Sequence, residues 1–446
     1  MDFSESYKCS LPPAYSPNGR FCAAAVDYRL IIREVETLRI VQLYSCLDRI
    51  TQLEWSSNSL YILCSQSQRS LVQIWAVDDP EWSCKIDEGP AGVCRVLWAP
   101  DGVSVLALAQ FNIRLTVWNL MDRRCTYLRG SKHSDKGMAF SKDGRMLAVL
   151  ERYDLKDHIT VYNVGSWQQV SHFPCDTRDA VNLAWSPDCT CLVVWDSCLA
   201  NRLQVFSAQG RLLTLYQPGP QPGAQGMGLG IKSCAWNPGG QLLAVGSYDQ
   251  ACRVLDHVTW QPLLEARHPS QLDSPEHVVM YREVHEEGNE ALGSTPTKSL
   301  PRLHQGRSKY VISALPAPVP CTKPDMAEHQ LQLGIGHACW SPDSRFLVTI
   351  NANQAHSVWV WDMATMELSA VLSHQQAVKD MQWAPQGCSL AVVTGTSKVF
   401  MWTPDGASVV FIPLQGFKAQ CVMWGPTGTS FMLADQDTFC CAYLNT

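Results

Sequence analysis

Trp340-Ser341-Pro342-Asp343-Ser344-Arg345-Phe346-Leu347-Val348-Thr349 is followed, after a polar gap, by Val358-Trp359-Val360-Trp361-Asp362. The stretch reads as two strands joined by a Pro-Asp turn, with Val358 and Val360 alternating against Trp359 and Trp361 on the second strand. Pro342 fixes one backbone angle and Asp343 can bond its own backbone, so the chain reverses here at little entropic cost.

The same pattern recurs along the chain, counted by an aromatic anchor before each turn: Tyr15, Trp55, Trp98, Phe140, Trp185, Trp236, Trp340, Trp383 and Trp424. Successive gaps are 40, 43, 42, 45, 51, 104, 43 and 41 residues. Apolar runs follow the turns, as in Leu147-Ala148-Val149, Leu243-Ala244-Val245 and Leu390-Ala391-Val392. A repeat of about 40–45 residues with four short strands resembles the blade of a WD-repeat β-propeller, an all-β fold. The blades are divergent. The literal Trp-Asp pair stands only at Trp361-Asp362, with Trp75-Ala76, Trp118-Asn119, Tyr162-Asn163, Leu255-Asp256 and Trp402-Thr403 elsewhere. Only His374, nine residues before Trp383, sits at the family's glycine-histidine position, and no blade has the family's full Asp, His, Ser/Thr and Trp set.

Nine anchors predict one closed ring of about nine four-stranded blades over residues 1–446; seven or eight blades with an irregular appendage is the alternative, because propellers usually have roughly four to eight. Two seven-blade rings would need roughly 560–630 residues at this period. The first blade is expected to run from an inner strand around Lys8 to Tyr15 through Phe21 to Val26 and Leu30 to Glu34. The last blade lacks one strand after Phe439 to Leu444, so residues near Phe3 to Tyr7 are expected to pair outside it and close the ring, leaving no open edges there.

Periodicity fails between Trp236 and Trp340. Residues at about 268–330 are rich in Pro, Ser and charge, with Glu283, Glu286, Glu287 and Glu290 preceding Lys298, Arg302, Arg307 and Lys309. Val278 to Tyr281 and Tyr310 to Leu315 are short strand candidates within it. The segment reads as a long solvated loop with an extra hairpin, against the alternative of a partner-binding arm. Leu229-Gly230-Ile231 and Leu333-Gly334-Ile335 each begin seven residues before their Trp, so the irregular segment is an insertion into one repeat array.

Hydrophobic residues make up 46% and charged residues 17% of the 446, ample for a buried core. A net charge of -6 and a pI near 6.1 give no electrostatic ground for nucleic acid or an anionic membrane as partner. Met1 to Ser6 lacks the basic and apolar regions of a signal peptide, and no apolar run is long enough to span a bilayer. The 19 cysteines, among them Cys22, Cys64, Cys234 and Cys388, lie mostly in strand-like runs and read as small hydrophobes of a reducing, intracellular compartment.

Chemistry-bearing motifs are sparse. Gly226, Gly228 and Gly230, beside Pro218-Gly219-Pro220 and Pro222-Gly223, lead into a strand rather than the helix that a phosphate cradle needs. Cys189-Thr190-Cys191 and Cys440-Cys441 lack partners at zinc-ligand spacing. No nucleophile elbow or metalloprotease motif occurs, so no catalytic, metal or cofactor site is assigned. In Pro80 to Gly89, alternation places Trp82, Cys84 and Ile86 on one strand face; core packing is favoured over an exposed partner anchor for Trp82, and likewise for Trp260.

Pro80 to Gly89, Trp195-Asp196-Ser197-Cys198-Leu199, Gly246-Ser247-Tyr248-Asp249 and His257-Val258-Thr259-Trp260 are also similar to the corresponding stretches of the family of WD-repeat-containing proteins antisense to tumour-protein-seventy-three. The resemblance covers essentially the whole chain. It implies a non-catalytic scaffold in the cytoplasm and cytoskeleton, at centrosomes, centriolar satellites and spindle poles. There it would act with the coiled-coil afadin- and α-actinin-binding protein, anchoring microtubule minus ends and supporting spindle organisation and cilium formation. A ubiquitin-ligase substrate receptor is a rival reading, weakened because Met363-Ala364 follows Trp361-Asp362 where such receptors often carry an arginine two residues on. A translation-initiation propeller is another, weakened by the mild acidity and lack of a basic tail.

Overall fold

The computed structural model describes residues 1–217, 230–273, 278–285, 308–324 and 331–444. Nine antiparallel sheets follow one another along the chain, over residues 14–45, 52–87, 95–129, 138–175, 180–216, 231–267, 335–373 and 380–411, with 421–443 completed by 2–8. Each is a blade whose strands are lettered a to d in chain order. The a strands of adjacent blades approach one another, so they line the axis and the d strands form the rim. Apolar residues alternate out of both faces of the middle strands and meet those of the next blade. Nine apolar clusters result, one at each blade junction, including the junction of the ninth blade with the first through Cys22, Ala24, Met432 and Phe439. The ring is therefore closed with nine blades.

The repeated anchor has a repeated bond. The indole of Trp340 donates to the Ala235 carbonyl at 2.9 Å, that of Trp98 to Glu54 at 3.1 Å, and that of Trp424 to Gln382 at 3.1 Å, in each case the residue before the preceding blade's anchor. The turn that follows is equally regular. The Ser341 hydroxyl donates to Asp343 Oδ1 and accepts the Phe346 N–H, and Ser16, Ser56, Ser141 and Ser186 do the same in their blades. Four residues after every anchor the backbone is left-handed, from φ 61° at Cys189 to φ 76° at Gly240. Glycine fills six of these nine places, where a Cβ costs most, and Ser59, Cys189 and Ser344 fill the rest.

At the termini, Asp2–Phe3 and Tyr7–Lys8 pair antiparallel with the ninth blade's last strand, Thr438–Tyr443, through Phe3 opposite Ala442 and Tyr7 opposite Phe439. Lys8 thus belongs to the ninth blade, opposite Thr438, and the first blade's inner strand is only Ala14–Tyr15, a correction to the strand expected from Lys8 onward. Pro12 and Pro13 supply no N–H to a ladder, which keeps the intervening segment out of the sheet.

The hairpin expected in the insertion is present, but it is docked on the ring rather than carried on a solvated loop. Val279–His285 runs parallel to the d strand of blade 7, Glu367–Ser373, and carries Ser308–Ile312 outside it, making six strands. Leu272, Met280, Ala317 and Val319 join the apolar junction of blades 6 and 7. Glu283, expected in solvent with its acidic neighbours, is buried: it pairs with Lys398 of blade 8 at 2.9 Å and accepts the Gln375 N–H. Burial alone would raise its pKa, but the Gln375 bond and the Lys398 charge outweigh this and leave it lowered. Glu286, Glu287, Glu290, Lys298, Arg302 and Arg307 lie outside the described residues.

Candidate protein-interaction face

In an up-and-down blade the a–b and c–d turns share one end of the strands, and the b–c and d–a loops share the other. The second end is where the blades differ. In blade 3 the b–c loop, Ala109 to Ile113, holds Phe111 and Asn112 at φ 59° and 55°, leaving the Phe111 side chain 91% exposed and Ile113 70% exposed. The loop is clamped from beneath. Asn112 Nδ2 donates to the Lys132 carbonyl at 3.2 Å, and any Cβ at Gly130 would collide with the Asn112 carbonyl.

Blade 4 turns through Asp154-Leu155 between the paired residues Tyr153 and Lys156, with φ 48° and 62°. Both turn residues being left-handed makes this a two-residue turn that ordinarily takes Asn-Gly or Asp-Gly. Leucine in the glycine place is costly, and its side chain is 88% exposed. Tyr153 beside it is exposed under the Arg129 guanidinium, 5.7 Å from the ring centre. Blade 5 adds Leu199, 75% exposed, on a loop closed by the Ala200 N–H to the Ser197 carbonyl. Three consecutive blades therefore present large apolar side chains at one end of the ring.

A partly buried charge network holds these loops from below. Lys132 Nζ lies 3.0 Å from Asp157 and 2.7 Å from Asp179, and Arg152 is 2.9 Å from Asp179. Asp157 also accepts the Ala180 N–H, tying blade 4 to blade 5. Desolvation pushes the Asp179 carboxyl up, but the bond and charge of Lys132 together with Arg152 leave it below its ordinary value. In blade 3 Glu88 accepts the Trp118 indole at 2.6 Å, the Thr116 hydroxyl and Arg114, standing where the family uses a histidine.

A histidine in that role does occur in blade 7, and it is not His374. Trp361 Nε1 donates to Thr349 Oγ1 at 3.0 Å, Thr349 bonds His268 Nε2 at 2.7 Å, and His268 Nδ1 reaches the Gln250 carbonyl. The insertion separates His268 from its tryptophan in sequence and hides the spacing. Burial lowers both His268 and His374 to about 4, so both are neutral. His374 instead bonds the Tyr310 hydroxyl of the inserted strand at 2.7 Å, because Val392 and Phe400 leave blade 8 no hydroxyl of its own there.

The other residues singled out in the sequence serve packing. Trp82 is half-buried against Tyr61, ring centres 4.9 Å apart, and Trp260 is half-buried edge-on to Trp236. Gly230 lets its strand approach the Ser197 and Cys198 backbone, where a Cβ would collide. Gly226, Gly228, Pro218, Gly219, Pro220, Pro222, Gly223 and Leu229 lie outside the described residues. Cys440 and Cys441 face opposite apolar junctions. Cys22 and Cys64 are buried, whereas Cys234, on the inner strand of blade 6, and Cys388, in the a–b turn of blade 8, are only partly so. Among the described residues no group of three or more His, Cys, Asp or Glu is placed to hold a metal ion. No helix among them is long and apolar enough to cross a membrane.

Neither Phe111 nor Leu155 stood out in the sequence, since an isolated apolar residue is unremarkable without knowing that it occupies a loop. Asp154-Leu155 between two strands, where glycine is expected second, was the available signal.

The sequence profile of the WD domain, G-beta repeat, matches residues 225–256. The chain is 40% identical to the mouse WD repeat-containing protein WRAP73 over all of its own length and 96% of that protein's. It is 22% identical to an uncharacterised WD repeat-containing protein of Schizosaccharomyces pombe, over its full length and 93% of the other. A chain in a crystal structure of the mitotic checkpoint complex aligns at a TM-score of 0.43 and 15% identity, covering 82% of this chain and 97% of that one. The chain belongs to the WD repeat-containing protein WRAP73 family of β-propeller proteins.

Proposed function

We propose that this propeller is a non-catalytic scaffold whose b–c loop face in blades 3–5 binds a coiled-coil partner. In this reading the complex anchors microtubule minus ends at centrosomes, centriolar satellites and spindle poles, and contributes to spindle organisation and cilium formation. The observation that carries the binding assignment is the run of Phe111, Ile113, Tyr153, Leu155 and Leu199, exposed on three successive loops and held partly in backbone conformations unfavourable for their side chains. Strain of this sort persists where surrounding contacts impose it, and it concentrates at binding sites. A long helical surface suits such a broad face better than a small pocket. The coiled-coil afadin- and α-actinin-binding protein is the proposed partner, and the full-length similarity to WRAP73 supports the cellular setting.

The non-catalytic part of the reading rests on how the buried charges are used. Glu88, Asp157 and Glu283 are each bonded to fixed donors within the ring, a structural use of buried carboxylates. Proximity labelling in dividing cells tests the setting. Enrichment of pericentriolar proteins is the expected result, and enrichment of ribosomal or ubiquitin-ligase subunits without them would overturn it.

A further inference from the structure

At the opposite end of the ring, on its rim, a groove of about 430 Å³ opens between blades 2 and 3. One wall is the outermost strand of blade 2, Ser83–Asp87, with Trp82 before it. The other is the end of blade 3's third strand at Trp118 and its c–d turn at Leu120 and Arg123. Both indoles are held: Trp82 packs on Tyr61, which itself stacks on Trp98, and Trp118 is bonded to Glu88. The turn is fixed as well. Asn119 Oδ1 accepts the N–H groups of Met121 and Asp122, and Arg123 follows at φ 54°.

Three properties define what could occupy this groove. Its floor is apolar, reaching Ile86 and Cys84 of the junction between the two blades. Its charged side chain is cationic, from Arg123, with no carboxylate among the nine lining residues; Lys85 lines it along the strand while its side chain alternates to the face opposite Cys84 and Ile86. Finally, Ser83–Asp87 is the edge of its sheet, so among the described residues its outward backbone groups have no strand beside them. Met121, 70% exposed, follows Leu120 in the same turn.

From this combination we infer a second binding site, for a short extended peptide segment that adds to the edge of blade 2, inserts an aromatic or leucine side chain between Trp82 and Trp118, and places a flanking carboxylate on Arg123. Edge addition supplies main-chain bonds and the groove supplies side-chain selection. The site lies at the other end of the strands from the loop face of blades 3–5, so the scaffold can hold a helical partner and a linear segment at once.

Fluorescence anisotropy with the full chain tests this, using labelled octapeptides with a central Phe, Leu or Ala flanked on both sides by Glu or by Lys. The Glu-flanked Phe and Leu peptides should bind at least about tenfold more tightly than the Ala-centred or Lys-flanked ones, a difference of about 1.4 kcal/mol. The variant Arg123→Glu should weaken them by about tenfold and gain binding of the Lys-flanked peptides. The Arg123 side chain is exposed, and a melting curve checks that the fold is retained; Met121→Glu in the same turn serves if it is not. Failure of every acidic peptide to bind more tightly than about 1 mM, or binding unchanged in the variant, would overturn the inference.

Discussion

The end of the ring that carries the a–b turns repeats itself in all nine blades, whereas the end that carries the b–c loops hardly repeats. At the first end a left-handed residue stands four places after every anchor, and serine-capped turns recur in five blades. At the second, blade 3 uses a buried glutamate, blades 4 and 5 share a lysine-aspartate network, blade 7 uses His268, and blade 8 borrows Tyr310 and Glu283 from the insertion. The repeating end carries what every blade needs in order to pack. The other end holds its buried polar groups by several different local arrangements, and so is free to differ in what it presents to solvent.

The largest effect is expected at the repeating end. Trp340→Ala removes a 7%-exposed indole and its bond to Ala235. Urea unfolding should show a loss of about 3–5 kcal/mol. A variant as stable as the wild type would deny the anchor its role in packing.

Nearly as large an effect is expected from the insertion, at the variable end. Glu283→Ala strands the Lys398 ammonium in a buried site and should cost about 3–5 kcal/mol. Replacing residues 286–307 by a short Gly/Ser linker should change stability by less than about 1 kcal/mol, because His285 and Ser308 already face each other and loop length alters closure entropy slowly. Equal effects from the two changes would erase the distinction drawn between the docked strands and the segment joining them.

The variable end should also carry the acid sensitivity. Burial holds His268 and His374 near 4 against an ordinary 6.5, so both are neutral in the folded chain while the unfolded chain takes up protons below 6.5. Their contribution is complete above pH 6.5 and is lost as pH falls toward 4, by about 1.4 kcal/mol per pH unit for each histidine. Glu54 works in the opposite sense: burial raises it from 4.5 to about 7, so its share is lost as pH rises through that interval. Burial lowers His172 and His337 as well and raises Glu151 and Asp196 with Glu54, so four histidines oppose three carboxylates, and unfolding at pH 7, 5.5 and 4.5 should show falling stability, with a shallower slope in His374→Gln. A flat profile would contradict the buried, neutral histidines.

A smaller gain tests the turns. Ser344 is left-handed at φ 63°, where six blades have glycine. Ser344→Gly should stabilise the ring by about 0.5–1 kcal/mol, the relief of the Cβ clash outweighing the extra freedom of glycine in the unfolded chain. Destabilisation would mean that the serine side chain matters more than its backbone angle.

These two ends also explain what the sequence disclosed. Anchor spacing, Pro-Asp turns and apolar runs are set by packing that every blade shares, so nine blades were legible from Tyr15 to Trp424. The hairpin of the insertion was legible as two short strands, but its docking was not, because nothing local to Glu283 shows that Lys398 waits 115 positions away. His268 was hidden in the same way, its partners Thr349 and Trp361 lying beyond the insertion. The apolar face was illegible for a simpler reason. Phe111, Leu155 and Leu199 are separate residues in three loops, and only the stacking of blades 3, 4 and 5 brings them to one end of the ring.

The most direct measurement concerns that face. The triple variant Phe111→Ser/Leu155→Gly/Leu199→Ser should melt within about 2 °C of the wild type, since exposed substitutions away from buried features usually change stability by less than about 0.5 kcal/mol. Its affinity for the coiled-coil afadin- and α-actinin-binding protein, measured by titration, should fall by at least about tenfold, whereas the wild-type complex should survive a rise from about 0.15 to 0.5 M salt because apolar anchors are not screened. A folded triple variant that binds as tightly as the wild type, or a wild-type complex that dissociates at moderate salt, would contradict the assignment of this face.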